Sequence, residues 1–162
     1  MPVKNNVTRL LDSRKIVYTV YELPAEKLGA LGTADLLGIS ADVVFKTIVV
    51  TRKPGKPILA MIPGTHAVDL KMLAKFLGEK KIVLSTQHEA EKLTQLRAGG
   101  ISPLALLNKG FVIVLDASAR DYAEIHISGG QRGLNIRLGV DDLIKLVNAR
   151  VGEISRKIKE VL

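Results

Sequence analysis

The sequence predicts an α+β fold: one domain spanning residues 1–162, with a mixed, strongly curved β-sheet and helices packed on it. Two observations predict this. Strand-like apolar runs and segments of helical period follow one another without a regular βαβ repeat. With 162 residues, 47% of them hydrophobic, the chain can bury one sizeable core. That core is expected over about 7–149, with 153–162 as an amphipathic C-terminal tail.

The elements follow in order. Val7, Leu10, Leu11 and Arg14 at helical spacing predict a short helix over 8–15, and IVYTVYEL over 16–23 predicts a strand that Pro24 ends. Residues 27–31 read as a loop, and 33–37 as a short helix capped by Thr33 and stopped by Gly38. The run from Val43 to Val50 predicts a buried strand. Arg52-Lys53-Pro54-Gly55-Lys56 is a hairpin turn, and 57–62 returns. Asp69 opens a helix with Leu70, Leu73, Ala74 and Leu77 on one face, and Gly78 closes it. A strand over 81–84 leads to the capping box Thr86-Gln87-His88-Glu89, whose helix is expected to reach Arg97 before Gly99-Gly100 breaks it. Strands over 111–115, 122–127 and 134–138 follow, the last two joined by a glycine-rich turn. A helix capped by Asp141 or Asp142 runs to Ala149, and in the tail Ile154, Ile158 and Val161 share a side.

Composition narrows the chemistry. There are no cysteines, which excludes disulfides, zinc–thiolate sites and cysteine nucleophiles. No apolar run reaches the roughly 20 residues of a membrane span, and the first residues lack a signal-peptide core, so the cytoplasm is the expected compartment and no membrane partner is expected. The net charge of +8 favours a polyanion. Six Phe and Tyr residues and no Trp argue against a base-stacking platform, so an RNA partner would be held by its phosphates and by one end. Lys71, Lys75, Lys80 and Lys81, with Arg52, Lys53 and Lys56, could form such a surface or could be ordinary solvated faces.

Four groups of residues bear on function. Lys46 interrupts the apolar strand and projects with Val44, Ile48 and Val50. Either that face is exposed and the side chain snorkels, or Lys46 is a polar handle in an apolar pocket. In Gly99-Gly100-Ile101-Ser102-Pro103, two glycines could leave N–H groups open to a ligand, as in an oxyanion hole, or could simply end a helix. Ser128-Gly129-Gly130-Gln131-Arg132-Gly133 lacks the spacing of a nucleotide phosphate loop. It reads as a hairpin turn, or as a second backbone wall facing the first, with Arg132 free for phosphate. His66, His88 and His126 have no metal-ligand spacing, no metal or cofactor site is expected, and His126 reads as structural.

Taken in order, Phe45-Lys46-Thr47, Asp69-Leu70-Lys71 with its helix, the 99–104 loop, and Ser128-Gly129-Gly130 followed by Arg132-Gly133-Leu134 resemble the YbaK family of aminoacyl-tRNA deacylases. That family is related to the editing insertion of bacterial prolyl-tRNA synthetases. The resemblance implies a barrel-like sheet and a trans-editing enzyme that removes a small mischarged amino acid, cysteine from Cys-tRNA(Pro) foremost. It implies no metal and no catalytic triad, with mischarged tRNA as the partner and prolyl-tRNA synthetase as a second candidate. It makes Lys46 and Thr47 the catalytic candidates. Phe45, Gly99, Gly100, Ile101, Ser102, Pro103, Ser128, Gly129, Gly130 and Asn135 are then the substrate-binding ones. Two positions depart from the family pattern: Asn135 stands where Asp is usual, and Leu23 aligns with a usual Tyr, although Tyr21 is near. The departures leave open another amino acid, such as alanine, or a non-catalytic adaptor.

Overall fold

In the computed structural model, which describes residues 4–159, two sheets face each other across an apolar core. Sheet one is antiparallel, in the order β1 (Tyr18–Glu22), β8 (Leu134–Gly139), β7 (Glu124–Ser128). Sheet two is mixed, in the order β5 (Ile82–Leu84), β2 (Phe45–Arg52), β3 (Ile58–Pro63), β6 (Val112–Asp116), β9 (Arg150–Gly152). Here β2 runs antiparallel to both neighbours, while β3–β6 and β6–β9 are parallel. The expected α+β class holds. The sheets meet at a bridge between Val44 and His126, and no ladder among the described residues closes them into a barrel.

Alternation along β2 and β3 divides the apolar residues between two clusters. Phe45, Val49, Leu59 and Met61 point inward to Ile125, Ile127, Ile136 and Leu138 of the facing sheet. Leu11 of α1 (Asn6–Ser13) and Leu143 of α5 (Val140–Val147) fill the same core. Val50, Ile58, Ala60 and Ile62 point the other way, onto Leu73 of α3 (Leu70–Leu77) and onto Ile154. Each fully buried Leu or Ile contributes about 1.5–3 kcal/mol by leaving water, and β3, buried along its whole length, is the most heavily packed strand.

Local signals place most helices. Asp69 caps α3 by accepting from the Met72 N–H at 3.0 Å, and Gly78 ends it in the left-handed region. Thr86 and Glu89 form the expected box at the start of α4 (Gln87–Thr94). That helix stops short of Arg97 because Gln95 turns left-handed, at φ 59°. Three other expectations need correction. α2 runs Gly29–Leu37, so 29–31 is helix rather than loop, and Thr33 lies inside it, donating to the Gly29 carbonyl at 2.8 Å instead of capping. Gly139, not an aspartate, is the cap position of α5, and Asp141 and Asp142 sit in its first turn against the helix dipole. The tail is not a free amphipathic segment. Ser155–Lys157 forms β10 on β4 (His66–Val68), and the Ile154 N–H donates to buried Asp116 at 3.0 Å. Ile154 is buried, Ile158 is exposed, and Val161 lies outside the described residues.

Candidate active site

A cavity of about 300 Å³ opens along the first half of β2. It is floored by Phe45, Lys46 and Thr47, and walled by α2, the start of α4, the 98–101 loop and the ends of β7 and β8. Of the residues singled out from sequence, Phe45, Lys46, Thr47, Gly99, Ile101, Ser128 and Asn135 line it together. Gly100, Ser102, Pro103, Gly129 and Gly130 do not.

Lys46 is half-buried, with its Nζ donating over a long 3.4 Å to the Gly64 carbonyl. No carboxylate among the described residues pairs with it. Burial holds its pKa below the ordinary lysine value. The even face of β2 thus carries a cation held away from its preferred solvent, beside apolar neighbours, and open to a cavity. Glu26, exposed, is the single carboxylate among the lining residues.

The two glycine segments form one wall, not two opposed ones. A Cβ on Gly100 would lie 2.9 Å from the Gln131 Cα, so only glycine lets the backbones come this close. Arg132 ties them: its Nε donates to the Ala98 carbonyl at 2.6 Å, and the Ser128 hydroxyl reaches the Gly99 carbonyl at 3.4 Å. Most of the expected amide donors are spent inside the protein. The Gly100 N–H donates to Arg97 at 2.8 Å, the Gly129 N–H to Leu134 at 2.7 Å, and the Gly130 N–H to the Ser128 hydroxyl at 3.3 Å. Ser102 is fully buried, its hydroxyl accepting from the Leu104 N–H at 3.2 Å, and Pro103 is buried beside it. These residues shape the wall from behind.

The open backbone lies elsewhere, on the edge of β2. β5 covers β2 only at Val50, Thr51 and Arg52. The Val49 carbonyl faces that side, accepting from the Ser85 N–H at 3.1 Å and its hydroxyl at 2.9 Å. Alternation turns the Thr47 N–H and C=O the same way, past the end of β5 and along the cavity. Sequence reasoning missed this edge, because the shortness of β5 is a property of pairing rather than of local residue type.

His126 and Asn135 are another missed relationship. His126 Nδ1 lies 2.8 Å from Asn135 Oδ1, diagonally across the β7–β8 hairpin, and both side chains are buried. Burial holds the imidazole pKa below its usual value. Tyr21 stacks at a tilt on His126, with ring centroids 5.4 Å apart, and Arg137 lies over Tyr21 at 5.9 Å. Leu23, not Tyr21, lines the cavity. Among the basic residues singled out, Arg52 is already engaged by Glu79 and by the Lys56 carbonyl, while Lys71, Lys75, Lys80 and Lys81 stay exposed.

Residues 29–146 match the model of the aminoacyl-tRNA editing domain. The chain belongs to that family. It is 35% identical over 156 residues to EbsC of Enterococcus faecalis, provisionally named a Cys-tRNA(Pro)/Cys-tRNA(Cys) deacylase, covering 95% of this chain and 94% of EbsC. It is 24% identical to the prolyl-tRNA editing protein ProX of Acetoanaerobium sticklandii, over 92% of this chain and 93% of ProX. A proline–tRNA ligase of Pelobacter propionicus matches 74% of this chain at 27% identity, over only 22% of the ligase. Among solved structures, one titled hypothetical protein APE2540 superposes with a TM-score of 0.86 at 22% identity, over 94% of this chain and all of that one. A second, titled as a candidate trans-editing enzyme for prolyl-tRNA synthetase, gives 0.79 at 24% identity, over 96% and 99%. These two establish the shared fold.

Proposed function

We propose that this editing-domain protein is a trans-acting aminoacyl-tRNA deacylase that removes a small mischarged amino acid, with cysteine on tRNA(Pro) as the leading substrate. Family membership and the relatives EbsC and ProX support the class. The observation that carries the chemistry is Lys46, a half-buried ammonium with no carboxylate partner among the described residues, set beside the open Thr47 amide. An aminoacyl ester is already activated, so positioning and charge stabilisation suffice. The nucleophile comes from outside the protein: water, or the thiol of a cysteine substrate. It adds to the ester carbon, the carbonyl oxygen gains negative charge, and Lys46 and the Thr47 N–H stabilise that oxygen. The bond to the ribose oxygen then breaks, and the ribose leaves as its hydroxyl after taking a proton.

The +8 charge supports binding of the tRNA acceptor end by its phosphates. A cytoplasmic location and prolyl-tRNA synthetase as a partner belong to the same reading, the latter supported by the match to part of a proline–tRNA ligase. No helix among the described residues is long and apolar enough to cross a membrane. A pocket that must accept one small amino acid rejects a near-isostere by only about 1–3 kcal/mol, which is why a second, hydrolytic site is needed. The test is a panel of tRNAs charged with cysteine, alanine, serine or proline, followed by ester loss. Release of at least one mischarged amino acid, with correctly charged Pro-tRNA(Pro) spared, is expected. Tight binding without any release would instead establish a non-catalytic adaptor, the alternative that the departures at Leu23 and Asn135 allow.

A further inference from the structure

We propose that Asn135, oriented by His126, determines specificity by donating an amide N–H to a lone pair on the side chain of the bound amino acid. It thereby selects residues ending in a hydroxyl or thiol over apolar isosteres. The inference rests on the deacylase reading and adds a substrate class to it. The carbonyl oxygen of Asn135 is occupied by His126 Nδ1 at 2.8 Å. A carbonyl oxygen only accepts, so Nδ1 carries the hydrogen and the imidazole is the donor. The amide therefore cannot rotate freely, and its NH2 group points away from His126. That nitrogen has no partner among the described residues, yet it is not sealed off, although Asn135 is 5% exposed overall. Asn135 lines the cavity, which is the space we assign to this N–H.

Depth decides which part of a ligand reaches it. Lys27, Gln87 and Gly99 are exposed and mark the mouth, where a nucleic acid must stay. Lys46 is half-buried, and Asn135 lies deepest among the polar lining residues named here. An aminoacyl end entering from the mouth places its ester near Lys46 and its side chain at Asn135. Ser128, directly opposite Asn135 across the hairpin, also lines the cavity, but its hydroxyl is engaged by the Gly99 carbonyl at 3.4 Å and the Gly130 N–H at 3.3 Å, while Leu23 and Ile101 add only apolar lining, so an unmet N–H there discriminates against a methyl group. His126 is a positioning residue that touches no substrate. The charged groups facing it are Arg137 and Glu124, and burial outweighs both in keeping it neutral.

The experiment compares one tRNA charged with serine or with 2-aminobutyrate, whose methyl replaces the hydroxyl, so that thiol chemistry does not enter. Cys-tRNA(Pro) serves as the positive control. The full chain should release serine about tenfold more efficiently than 2-aminobutyrate, chiefly through KM. Asn135→Leu, of matching size, should bring that ratio near one, chiefly by lowering the efficiency on serine. His126→Phe should lower the ratio, and His126→Gln, which retains a donor, should restore it. A thermal melt of each variant reports folding separately. A ratio near one in the unaltered protein, or an unchanged ratio in a folded Asn135→Leu, overturns the role of Asn135. Failure to release any amino acid, cysteine included, overturns the deacylase reading itself.

Discussion

The Lys46 ammonium reaches the Gly64 carbonyl oxygen at 3.4 Å, a contact too long to hold it strongly, and no carboxylate among the described residues neutralises it. The fold therefore bears the cost of a partly desolvated charge, which its lowered pKa reports. Lys46→Met should abolish deacylation, by roughly 10²–10³-fold or more, as for other lost charge-stabilising donors. The melting temperature should stay the same or rise. Single-turnover ester loss and a thermal melt check both halves. Wild-type-like turnover would remove Lys46 from the mechanism.

Gly100 permits the contact between the two loops of the cavity wall. Gly100→Ala puts a Cβ 2.9 Å from the Gln131 Cα, so one backbone must move. We expect a loss of about 1–3 kcal/mol in stability and a fall in kcat, because the wall carrying Gly99 and Ser128 shifts. Denaturant unfolding and turnover measure these.

His126 makes stability depend on pH. Its folded pKa lies below the ordinary 6.5 of the unfolded chain, so on acidification the unfolded chain takes up the proton first. The contribution of His126 is complete above about pH 6.5 and is lost as pH falls through the window beneath it. Melting temperatures from about pH 7.5 down to about pH 5 should fall more steeply for the unaltered protein than for His126→Gln. The imidazole should also show the Nδ1–H tautomer by nitrogen NMR.

Asn5 caps α1 in a box with Thr8, and its amide donates to the Gly129 carbonyl at 2.9 Å. Asn5→Ala should cost about 1–2 kcal/mol from the lost cap. It should also reduce turnover, because the turn behind the cavity wall loses an anchor. A Ser at this position should restore the cap without the reach to Gly129, separating the two effects in melts and kinetics.

What could be read from sequence follows the range of each interaction. Asp69 with Gly78, and Thr86 with Glu89, lie within one helix turn or at its ends; α3 lies between its two signals, and α4 starts where its box puts it. Lys46 stood out because one charge in an apolar octet conflicts with its neighbours. β4, β9 and β10 are three residues each, too short for a periodic signal, and exist because distant partners complete their hydrogen bonds. The availability of the glycine N–H groups was beyond reach for the same reason: composition shows that a donor exists, not that Arg97 or Leu134 has already taken it. His126 and Asn135 belong to a hairpin that was expected, but their pairing depends on its register.

The hydrogen bond from Asn5 to Gly129 joins positions 124 apart, and β1 finds its place only against β8. A ribosome must therefore release everything through β8 before the candidate cleft can assemble. Such distant pairings fold slowly, on the order of milliseconds to seconds, and until then the apolar strands that will become the core remain exposed to other chains. Proofreading capacity in this molecule is acquired in a single late step, and chains interrupted before β8 acquire none of it.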